Sequence, residues 1–343
     1  MTTATRFGEY LLLQRTALGG MSEVFRAQRQ VRRPGEPELA LKRLLPMLCE
    51  DERVARLFLR EVEALRRIDH PVVLPLVDAG EHGGVPFVVM PWVHGANLRQ
   101  ILRSGDSDAP QQPLPVEAAL WLGSQLAAGL AEAHAVGVVH RDVSPSNILV
   151  DMLGSVYLID FGIARVVGLA QTTHGQGLRG KWAYAAPEQI AGQTIDFRTD
   201  LFTFASVLIE ALVGQAPFAD VDRESTLARI GRAEPLRWPQ LVEPLDEVDE
   251  LLRAMLARDP DHRPGATGLV AQILQRALVQ VGDPQGLRAK QQLAARTRGV
   301  KHESAAAKLL PAELRGEDVT NPQLDPDATQ VRMDQEPPDQ GGA

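Results

Sequence analysis

The sequence predicts an α+β fold of two lobes, in which a small β-rich lobe precedes a larger α-helical lobe. Short apolar or β-branched segments, separated by Gly, Pro or charged residues, fill the first ninety residues and are typical of strands. From Asn97 to about residue 280, apolar residues recur at three-and-four spacing, which is typical of helices. The length of 343 residues and the hydrophobic content of 44% are sufficient for two such lobes.

The β-rich lobe is expected over residues 1–93. Its strands are predicted in five segments, "YLLLQRTA", "EVFRAQR", "ELALKRLL", "VVLPLVDAGE" and "PFVVMPWV". One helix near residues 52–68 interrupts them, because Val54, Phe58 and Leu65 recur on one helical face.

The α-helical lobe is expected over residues 94–280. A Pro-rich polar loop is predicted at residues 104–115, "SGDSDAPQQPLP". The helices are predicted at residues 116–136, 199–213, 246–257 and 267–280. Residues 281–343 are predicted as a C-terminal tail, partly helical and then disordered, because the acid- and Pro-rich end has too few apolar residues to offset its ordering entropy.

Composition and charge exclude several classes of function. The formal net charge of −8 and the isoelectric point near 5.6 argue against a nucleic-acid partner, because binding to a phosphate backbone normally needs a basic face. Cys49 is the one cysteine, and the first ten residues do not resemble a signal peptide. The apolar stretch 116–139 is interrupted by polar residues, so no membrane span is expected. A cytoplasmic protein is the expectation.

Lys42 and Glu61 are a candidate charge pair. Glu61 shares the apolar face of the helix predicted near residues 52–68, where a buried carboxylate needs a cation or hydrogen-bond donors. Lys42 points to the same strand face as Ala40, whose small side chain leaves room for a ligand. Taken singly, each residue has a plainer interpretation, namely a solvated lysine and a helix-edge glutamate.

The turn "TALGGMSEVF" connects two strands rather than a strand and a helix, so it is not a Rossmann or Walker loop. Its backbone N–H groups could lie over a polyphosphate, and in that case Gly19 and Gly20 would contact the ligand. The same two glycines also fit an ordinary tight hairpin.

The segments "HRDVSPSN" and "YLIDFGIAR" carry the strongest chemical pattern. Asp142 could act as a base for a hydroxyl group, and Asn147 and Asp160 offer the oxygen ligands that Mg²⁺ accepts. Gly162 allows a sharp turn directly after Asp160 and Phe161. One such tripeptide alone is often only a turn, but its occurrence eighteen residues after Asp142 is much less expected by chance.

Six motifs in order and spacing resemble the eukaryotic-type serine/threonine protein kinases, in particular bacterial members, over about residues 7–280. They are Lys42, Glu61, His140-Arg141-Asp142, Asn147, Asp160-Phe161-Gly162 and Ala186-Pro187-Glu188. The resemblance implies the protein-kinase-like fold with a β-rich N-lobe and a helical C-lobe. It also implies transfer of phosphate from ATP, with Mg²⁺ or alternatively Mn²⁺, to serine and threonine of protein substrates in bacterial signalling, with autophosphorylation.

The resemblance also implies a role for each matching residue. Lys42 would hold the α- and β-phosphates and pair with Glu61, Asp160 and Asn147 would bind Mg²⁺, and Asp142 would position the substrate hydroxyl. The adenine would be sandwiched by Val24, Ala40 and Leu149.

At the hinge, the resemblance makes Met90 the gatekeeper. The carbonyl of Pro91 and the N–H of Val93 would bind the adenine edge, and Asn97 would contact the ribose.

The scaffold positions of the family match as well. Glu188 would pair with Arg263, and Asp200 would tie its helix to the catalytic loop. Leu65, His140 and Phe161 resemble an apolar stack between the lobes, an assignment that is compatible with plain core packing.

The chain departs from the family pattern in the glycine-rich turn and in the catalytic loop. The glycine triplet falls on Ala17, Gly19 and Ser22, which predicts a stiffer phosphate lid. The usual loop lysine is replaced by Ser144, and the threonine that it contacts in the family is replaced by Lys181. We therefore expect a swap in which Lys181 supplies the cation and Ser144 a hydroxyl; the alternative is a solvated Lys181 and a slow enzyme.

Phosphorylation is the expected means of activation. Arg141 would bind a phosphate on Thr172 or Thr173, unless the loop needs no modification. Thr320 and Thr329 in the tail are candidate phosphosites or docking points for a phosphothreonine-binding domain, and an inert solvated tail is the alternative.

Two other functions compete with that of a serine/threonine kinase. A pseudokinase or ATP-binding scaffold would keep the fold with little turnover, but Lys42, Asp142, Asn147 and Asp160 are all present. A small-molecule phosphotransferase is disfavoured by the features that build a protein-substrate lobe. These features are Ala186-Pro187-Glu188, Asp200 and Arg263.

Overall fold

A six-stranded antiparallel sheet forms the first lobe. The computed structural model describes residues 4–19, 21–32, 35–103, 111–161, 182–236, 238, 240–241 and 244–300. The six strands are β1 (Thr5–Phe7), β2 (Tyr10–Leu18), β3 (Ser22–Arg29), β4 (Leu39–Leu44), β5 (Asp78–His82) and β6 (Val85–Pro91). Their order in the sheet is β1-β2-β3-β4-β6-β5, so β4 is an interior strand and places Lys42 in the middle of the sheet.

Apolar residues cover both faces of this sheet. On one face, Tyr10, Leu41 and Phe87 belong to a buried cluster within the sheet. On the other face, Leu44 and Val88 pack with one side of helix α1 (Glu52–Arg66), to which Val54, Phe58 and Val62 belong. Asp51 caps the helix by accepting a hydrogen bond from the Arg53 N–H at 2.9 Å. The helix predicted near residues 52–68 is therefore present.

The strand predicted over residues 72–81 is shorter than expected. Only Asp78–His82 forms β5, and the preceding residues run as an irregular chain through Pro71 and Pro75. Proline has no N–H for a strand ladder, which explains the late start. The apolar residues of this segment still pack in the core, where Val72 and Val73 are buried.

A small second sheet joins the two lobes. It contains β7 (Gly95–Asn97), β8 (Ile148–Asp151) and β9 (Val156–Leu158), in that order. A Cβ atom on Gly95 would lie 2.0 Å from the carbonyl oxygen of Val150, so only glycine fits at this position. The small sheet therefore holds the chain that leaves the first lobe against the chain that leads to Asp160.

Helices build the second lobe. They are α2 (Leu98–Leu102), α3 (Val116–Ala135), α4 (Pro187–Ile190), α5 (Phe197–Val213), α6 (Arg223–Arg232), α7 (Asp246–Met255), α8 (Thr267–Gln280) and α9 (Leu287–Gly299). Helix α5 is buried along almost its whole length, from Thr199 to Ala211, and is the centre of the core. In the described parts of the chain, no helix combines the length and the apolar character needed to cross a membrane.

Helix α9 belongs to the region predicted as a partly helical tail, and it packs on the second lobe. Its residues Leu293 and Ala294 are buried, and the buried carboxylate of Asp283 accepts hydrogen bonds from the first N–H groups of the helix. Two glycines with positive φ permit the close approach. A Cβ on Gly154 would lie 2.2 Å from the Lys290 carbonyl oxygen, and one on Gly286 would lie 2.1 Å from the indole ring of Trp121.

Candidate active site

Lys42 and Asp160 meet between the lobes. The Lys42 ammonium donates a hydrogen bond to Asp160 Oδ1 at 2.9 Å, although the two residues are 118 positions apart. Lys42 is 8% exposed, so its charge needs this carboxylate nearby. Asp160 has a φ of 59°, a left-handed conformation that is unusual for a residue with a side chain and typical of functional turns. The arrangement places a buried cation directly beside a partly exposed anion.

The catalytic loop holds Asp142 and Asn147 against each other. The Asn147 side-chain amide donates to the Asp142 carbonyl oxygen at 2.8 Å and to its Oδ2 at 3.0 Å. The backbone N–H of Ile159 donates to the Asn147 carbonyl at 2.9 Å, which brings Asp160 beside the loop. The loop thus holds one carboxylate and one amide together, and Asp160 follows Ile159 directly in the chain. Oxygen atoms of these residue types suit a hard divalent cation.

His140 joins the catalytic loop to the strand that leads to Asp160. Its Nδ1 accepts a hydrogen bond from the Asp142 N–H at 3.2 Å, and its Nε2 lies 3.1 Å from the Ile159 carbonyl, to which it donates. Both contacts are made by the neutral ring with the proton on Nε2. Burial lowers the pKa of His140 below its usual value, since the charged ring would lose its hydration. The ring is therefore a neutral linker.

Asp200 on α5 holds the backbone of the catalytic loop. Its buried carboxylate accepts hydrogen bonds from the backbone N–H groups of His140 and Arg141, both at 2.7 Å. His134 on α3 adds a third contact at 2.7 Å through Nε2, and its other ring nitrogen lies 2.8 Å from the Thr267 hydroxyl. The prediction that Asp200 ties α5 to the catalytic loop is confirmed. The contacts of Asp200 also support Arg141, whose φ of 68° is unusual for a residue other than glycine.

Glu188 and Arg263 form the predicted pair. The guanidinium contacts both carboxylate oxygens, at 2.7 and 2.9 Å, and the two side chains are almost fully buried. The Thr199 hydroxyl donates to the same carboxylate at 2.7 Å. Although burial opposes ionisation, the hydrogen bonds from Arg263 and Thr199 keep the pKa of Glu188 below its usual value. This pair links α4 to α5 and to the loop before α8.

Part of the predicted stack between the lobes is present in the core. Leu65 and Phe161 belong to one buried cluster, and the rings of His140 and Phe161 lie 4.6 Å apart between their centroids. His140 and Phe161 are fully buried. The contact of Leu65 with these two rings stays a prediction.

The predicted adenine-side residues lie in two sheets, and strand register pairs them within each sheet. In the first sheet Val24 lies opposite Lys42, and Ala40 lies opposite Met90. In the second sheet Asn97 lies opposite Leu149. All of these except Lys42 are partly exposed, as are Pro91 and Val93, so the register leaves apolar side chains available to a flat ligand.

Asn97 has a second role that its assignment to the ribose did not anticipate. Its Oδ1 accepts the Gln100 N–H at 2.9 Å and caps α2, while the Gln100 side chain accepts the Asn97 N–H at 3.0 Å. The Nδ2 group could still donate to a ribose hydroxyl, and Oδ1 keeps a second lone pair as an acceptor.

The turn between β2 and β3 has an ordinary backbone where it is described. Ala17 pairs with Val24 in the ladder, and neither Ala17 nor Ser22 has a positive φ. Gly19 donates its N–H to the Ser22 carbonyl at 2.8 Å. The substitution of two glycines of the family triplet therefore carries no backbone strain at these positions.

Ser144 is buried and has an unusual environment. The residue is 1% exposed, and among the residues that the structure describes its hydroxyl has no hydrogen-bond partner. Arg141 Nε is likewise buried without a partner in the described regions. Both atoms belong to the catalytic loop, so a ligand or another segment of the chain could satisfy them.

Several predicted residues lie outside the described residues. They are Gly20, Gly162, Thr172, Thr173, Lys181, Thr320 and Thr329. The backbone of Glu61 lies in α1, where the register of the helix is given, but its side chain belongs to the same group. The expected pair of Lys42 with Glu61 and the expected swap between Ser144 and Lys181 stay predictions.

Sequence reasoning missed several residues that support the loop. Gln189 on α4 donates to the Arg141 carbonyl at 2.9 Å, and Arg99 on α2 donates to the Ser146 hydroxyl at 3.1 Å. Tyr184 donates to Glu210 at 2.5 Å inside the second lobe. Of these contacts, only the one made by Glu210 had a signal in the sequence. Glu210 is a carboxylate in the apolar helix of residues 199–213, and such a group needs a partner.

Comparison with known proteins gives a consistent result. A family model described as the protein kinase domain matches residues 15–276. The probable serine/threonine-protein kinase PkwA of Thermomonospora curvata is 34% identical over 268 residues, which is 78% of this chain and 34% of that protein. PrkC of Bacillus subtilis, also a serine/threonine-protein kinase, is 30% identical over 75% of this chain and 38% of its own length. The chain thus spans little more than a third of these relatives.

Solved structures resemble the fold. The crystal structure of the Mycobacterium tuberculosis PknI kinase domain superposes with a TM-score of 0.58 at 29% sequence identity. The match covers 80% of this chain and 99% of that domain. The two-lobed architecture predicted from the sequence is confirmed by this similarity and by the sheets and helices described above.

Proposed function

The chain belongs to the protein kinase domain family, and on this premise we propose that it transfers the γ-phosphate of ATP to serine and threonine hydroxyls of proteins. Protein kinases use ATP with a divalent metal ion and act on protein substrates. The bacterial relatives named above are serine/threonine-protein kinases, which supports the same hydroxyl specificity and a signalling role with autophosphorylation here.

The observation that carries the proposal is the contact of Lys42 with Asp160 beside the Asp142–Asn147 pair. The Ile159 N–H joins the strand that leads to Asp160 to the loop that carries Asp142 and Asn147. Lys42 and these three oxygen-bearing residues are the set that phosphoryl transfer needs. A pseudokinase commonly lacks one of these four groups.

Each residue has a distinct task in the proposed reaction. Lys42 binds the α- and β-phosphates, and Asp142 orients the substrate hydroxyl and accepts its proton. Asn147 and Asp160 hold the metal ion, for which Mg²⁺ is the first choice and Mn²⁺ a substitute. When bound, the ion neutralises charge on the phosphates.

The catalytic loop lacks the usual lysine, and we propose that Lys181 replaces it. A positioned cation stabilises the charge that develops on the transferring phosphate, whichever part of the chain supplies it. The buried and unpartnered Ser144 hydroxyl supports the proposal, since it is suited to donate to a group that enters the loop.

Regulation would involve the same loop. A phosphate on Thr172 or Thr173 would give charge-assisted hydrogen bonds to Arg141, whose Nε has no partner among the described residues. Phosphorylated Thr320 or Thr329 would be a docking point for a phosphothreonine-binding domain. We place the reaction in the cytoplasm, where ATP is available and a lone cysteine such as Cys49 stays reduced.

The proposal is tested with labelled ATP, Mg²⁺ and dephosphorylated casein. We expect label on serine or threonine of the kinase and of casein, and none with Asp160→Ala. Nucleotide binding without transfer would support the pseudokinase instead, an alternative that the altered residues Ser144 and Lys181 keep open.

The cation swap has its own test. Lys181→Ala should lower turnover by at least about thirtyfold, since an electrostatic contact made in the transition state contributes on the order of 2 kcal/mol or more. Adding Ser144→Lys to that variant should restore part of the loss. Full turnover in Lys181→Ala would exclude the swap.

A further inference from the structure

The peptide bond between Arg141 and Asp142 is held at both ends by side chains. Its N–H group, which belongs to Asp142, donates to His140 Nδ1 at 3.2 Å. Its carbonyl group, which belongs to Arg141, accepts a hydrogen bond from Gln189 Nε2 at 2.9 Å. The plane of this peptide contains the Asp142 Cα atom, so its orientation helps to set where the Asp142 side chain points.

The backbone of Arg141 needs such support. Its φ of 68° lies in the left-handed region, which residues with a side chain seldom adopt. A conformation of this kind persists where the surrounding contacts impose it. The Arg141 N–H donates to Asp200 at 2.7 Å and the Arg141 carbonyl accepts from Gln189, so one hydrogen bond on each side of the Cα atom holds the residue.

The Gln189 side-chain amide has one possible orientation. Its Oε1 accepts the Ala186 N–H at 2.9 Å, and its Nε2 donates to the Arg141 carbonyl at 2.9 Å. A backbone N–H can only donate and a carbonyl can only accept, so the two partners exclude the flipped amide. Glutamine suits this position because one side chain provides both an acceptor and a donor.

Helix α4, which carries Gln189, is itself held in the core. The preceding residue, Glu188, is 2% exposed and accepts hydrogen bonds from Arg263 at 2.7 and 2.9 Å and from the Thr199 hydroxyl at 2.7 Å. Ala186, directly before the helix, is fully buried. The Gln189 amide therefore contacts the catalytic loop from a well-anchored helix.

We propose that Gln189 is a positioning residue for Asp142. Its side-chain N–H group holds the Arg141 carbonyl and so keeps the base in the orientation that accepts the substrate proton. The inference rests on the proposed kinase function and deepens it. Loss of the contact should act on the chemical step, because a small misplacement of a catalytic group slows the reaction without weakening nucleotide binding.

The test compares two replacements of Gln189 in the full chain. Gln189→Glu keeps an oxygen that can accept the Ala186 N–H but loses the donor to the Arg141 carbonyl. At a pH of about 8 the new side chain is ionised, since glutamate titrates near about 4.3. With labelled ATP, Mg²⁺ and casein, kcat should fall about tenfold, because misplacement of a reacting group by about 1 Å can cost about a hundredfold. The KM for ATP should change less than about twofold.

A second variant and a control separate this role from the cap of α4. Gln189→Ala loses both hydrogen bonds, so its kcat should also fall about tenfold and its free energy of unfolding should be lower than that of Gln189→Glu. Gln193→Glu adds the same charge on an exposed residue four positions further along and should keep the wild-type kcat. Chemical denaturation establishes that each rate is measured on folded protein.

The outcomes are distinct. Wild-type turnover in Gln189→Glu would overturn the inference and leave the kinase function intact; if Gln189→Ala then lost activity, the residue would serve only as a helix cap. A higher KM for ATP at unchanged kcat in Gln189→Glu would overturn the inference as well. Absence of transfer by the wild-type protein, with ATP still bound, would overturn both the kinase function and the role of Gln189.

Discussion

Replacement of Ser144 by alanine should stabilise the protein. The hydroxyl is buried and has no hydrogen-bond partner in the described regions, so the folded state bears its desolvation cost. That cost is about 1–3 kcal/mol for a buried polar group without a partner. The backbone at Ser144 is extended, with φ −154° and ψ 158°, a conformation that alanine adopts equally well.

The magnitude follows from two opposing contributions. Removal of the hydroxyl regains the desolvation cost, and the cavity that one missing atom leaves costs roughly 0.5 kcal/mol at about 24 cal/mol per Å³. We therefore expect the free energy of unfolding to rise by about 1–2 kcal/mol. Turnover should fall about two- to tenfold if the hydroxyl donates to the transferring phosphate, since a neutral hydrogen bond contributes about 0.5–1.5 kcal/mol.

Chemical denaturation and initial-rate measurements on the same preparation give both values. Ser124→Ala is the matched control, because Ser124 is also buried but its hydroxyl donates to the Trp121 carbonyl at 2.9 Å. That variant should lose up to about 1 kcal/mol and keep its turnover. A loss of stability in Ser144→Ala would refute the reasoning, because the hydroxyl would then make a stabilising bond in the free protein.

Three further predictions concern the framework of the site. Arg263→Ala should lower the free energy of unfolding by about 3–5 kcal/mol, because it leaves the buried Glu188 charge without its partner. An unchanged free energy of unfolding in chemical denaturation would contradict this expectation. Burial lowers the pKa of His140, so in mildly acidic solution the unfolded chain binds a proton that the folded chain does not. The free energy of unfolding should therefore fall as the pH drops below about 6.5. The prediction fails if the free energy of unfolding of His140→Gln depends on pH in the same way. Gly154→Ala should lower the free energy of unfolding by at least about 2 kcal/mol, because the φ of Gly154 is +85° and a Cβ atom there would collide with the Lys290 carbonyl oxygen. If this variant unfolds with the stability of the wild type in a thermal or chemical denaturation experiment, α9 does not pack there.

The two lobes and the residue types of the candidate site could be predicted from the sequence, because both depend on local patterns. Asp142 and Asn147 stand five residues apart, and the helical period alone identifies α3 and α5. Strand alternation also placed Lys42 on the same face as Ala40. The predicted strand at 72–81 failed where Pro75 removes a donor, so even there the reason is local.

Contacts between distant elements could not be obtained in this way. Arg99 and Ser146 are 47 positions apart, and Lys42 and Asp160 are 118 apart, so each contact requires the register and tilt of several packed elements. The three donors on Asp200 follow only once α5 is known to run beneath the loop. A sequence pattern predicts which residue types lie on which face of a helix or strand. The distances between side chains depend on how these helices and strands pack against each other.

The close packing of α9 bears on where the folded unit can be cut. The family model stops at residue 276, yet Leu293 and Ala294 lie in the protein interior and Asp283 caps the helix that carries them. A protein shortened to residue 280 would leave the indole face of Trp121 and the turn at Gly154 open to water. Experiments on an isolated catalytic domain should therefore end after Val300, the last residue of this chain with a described buried contact.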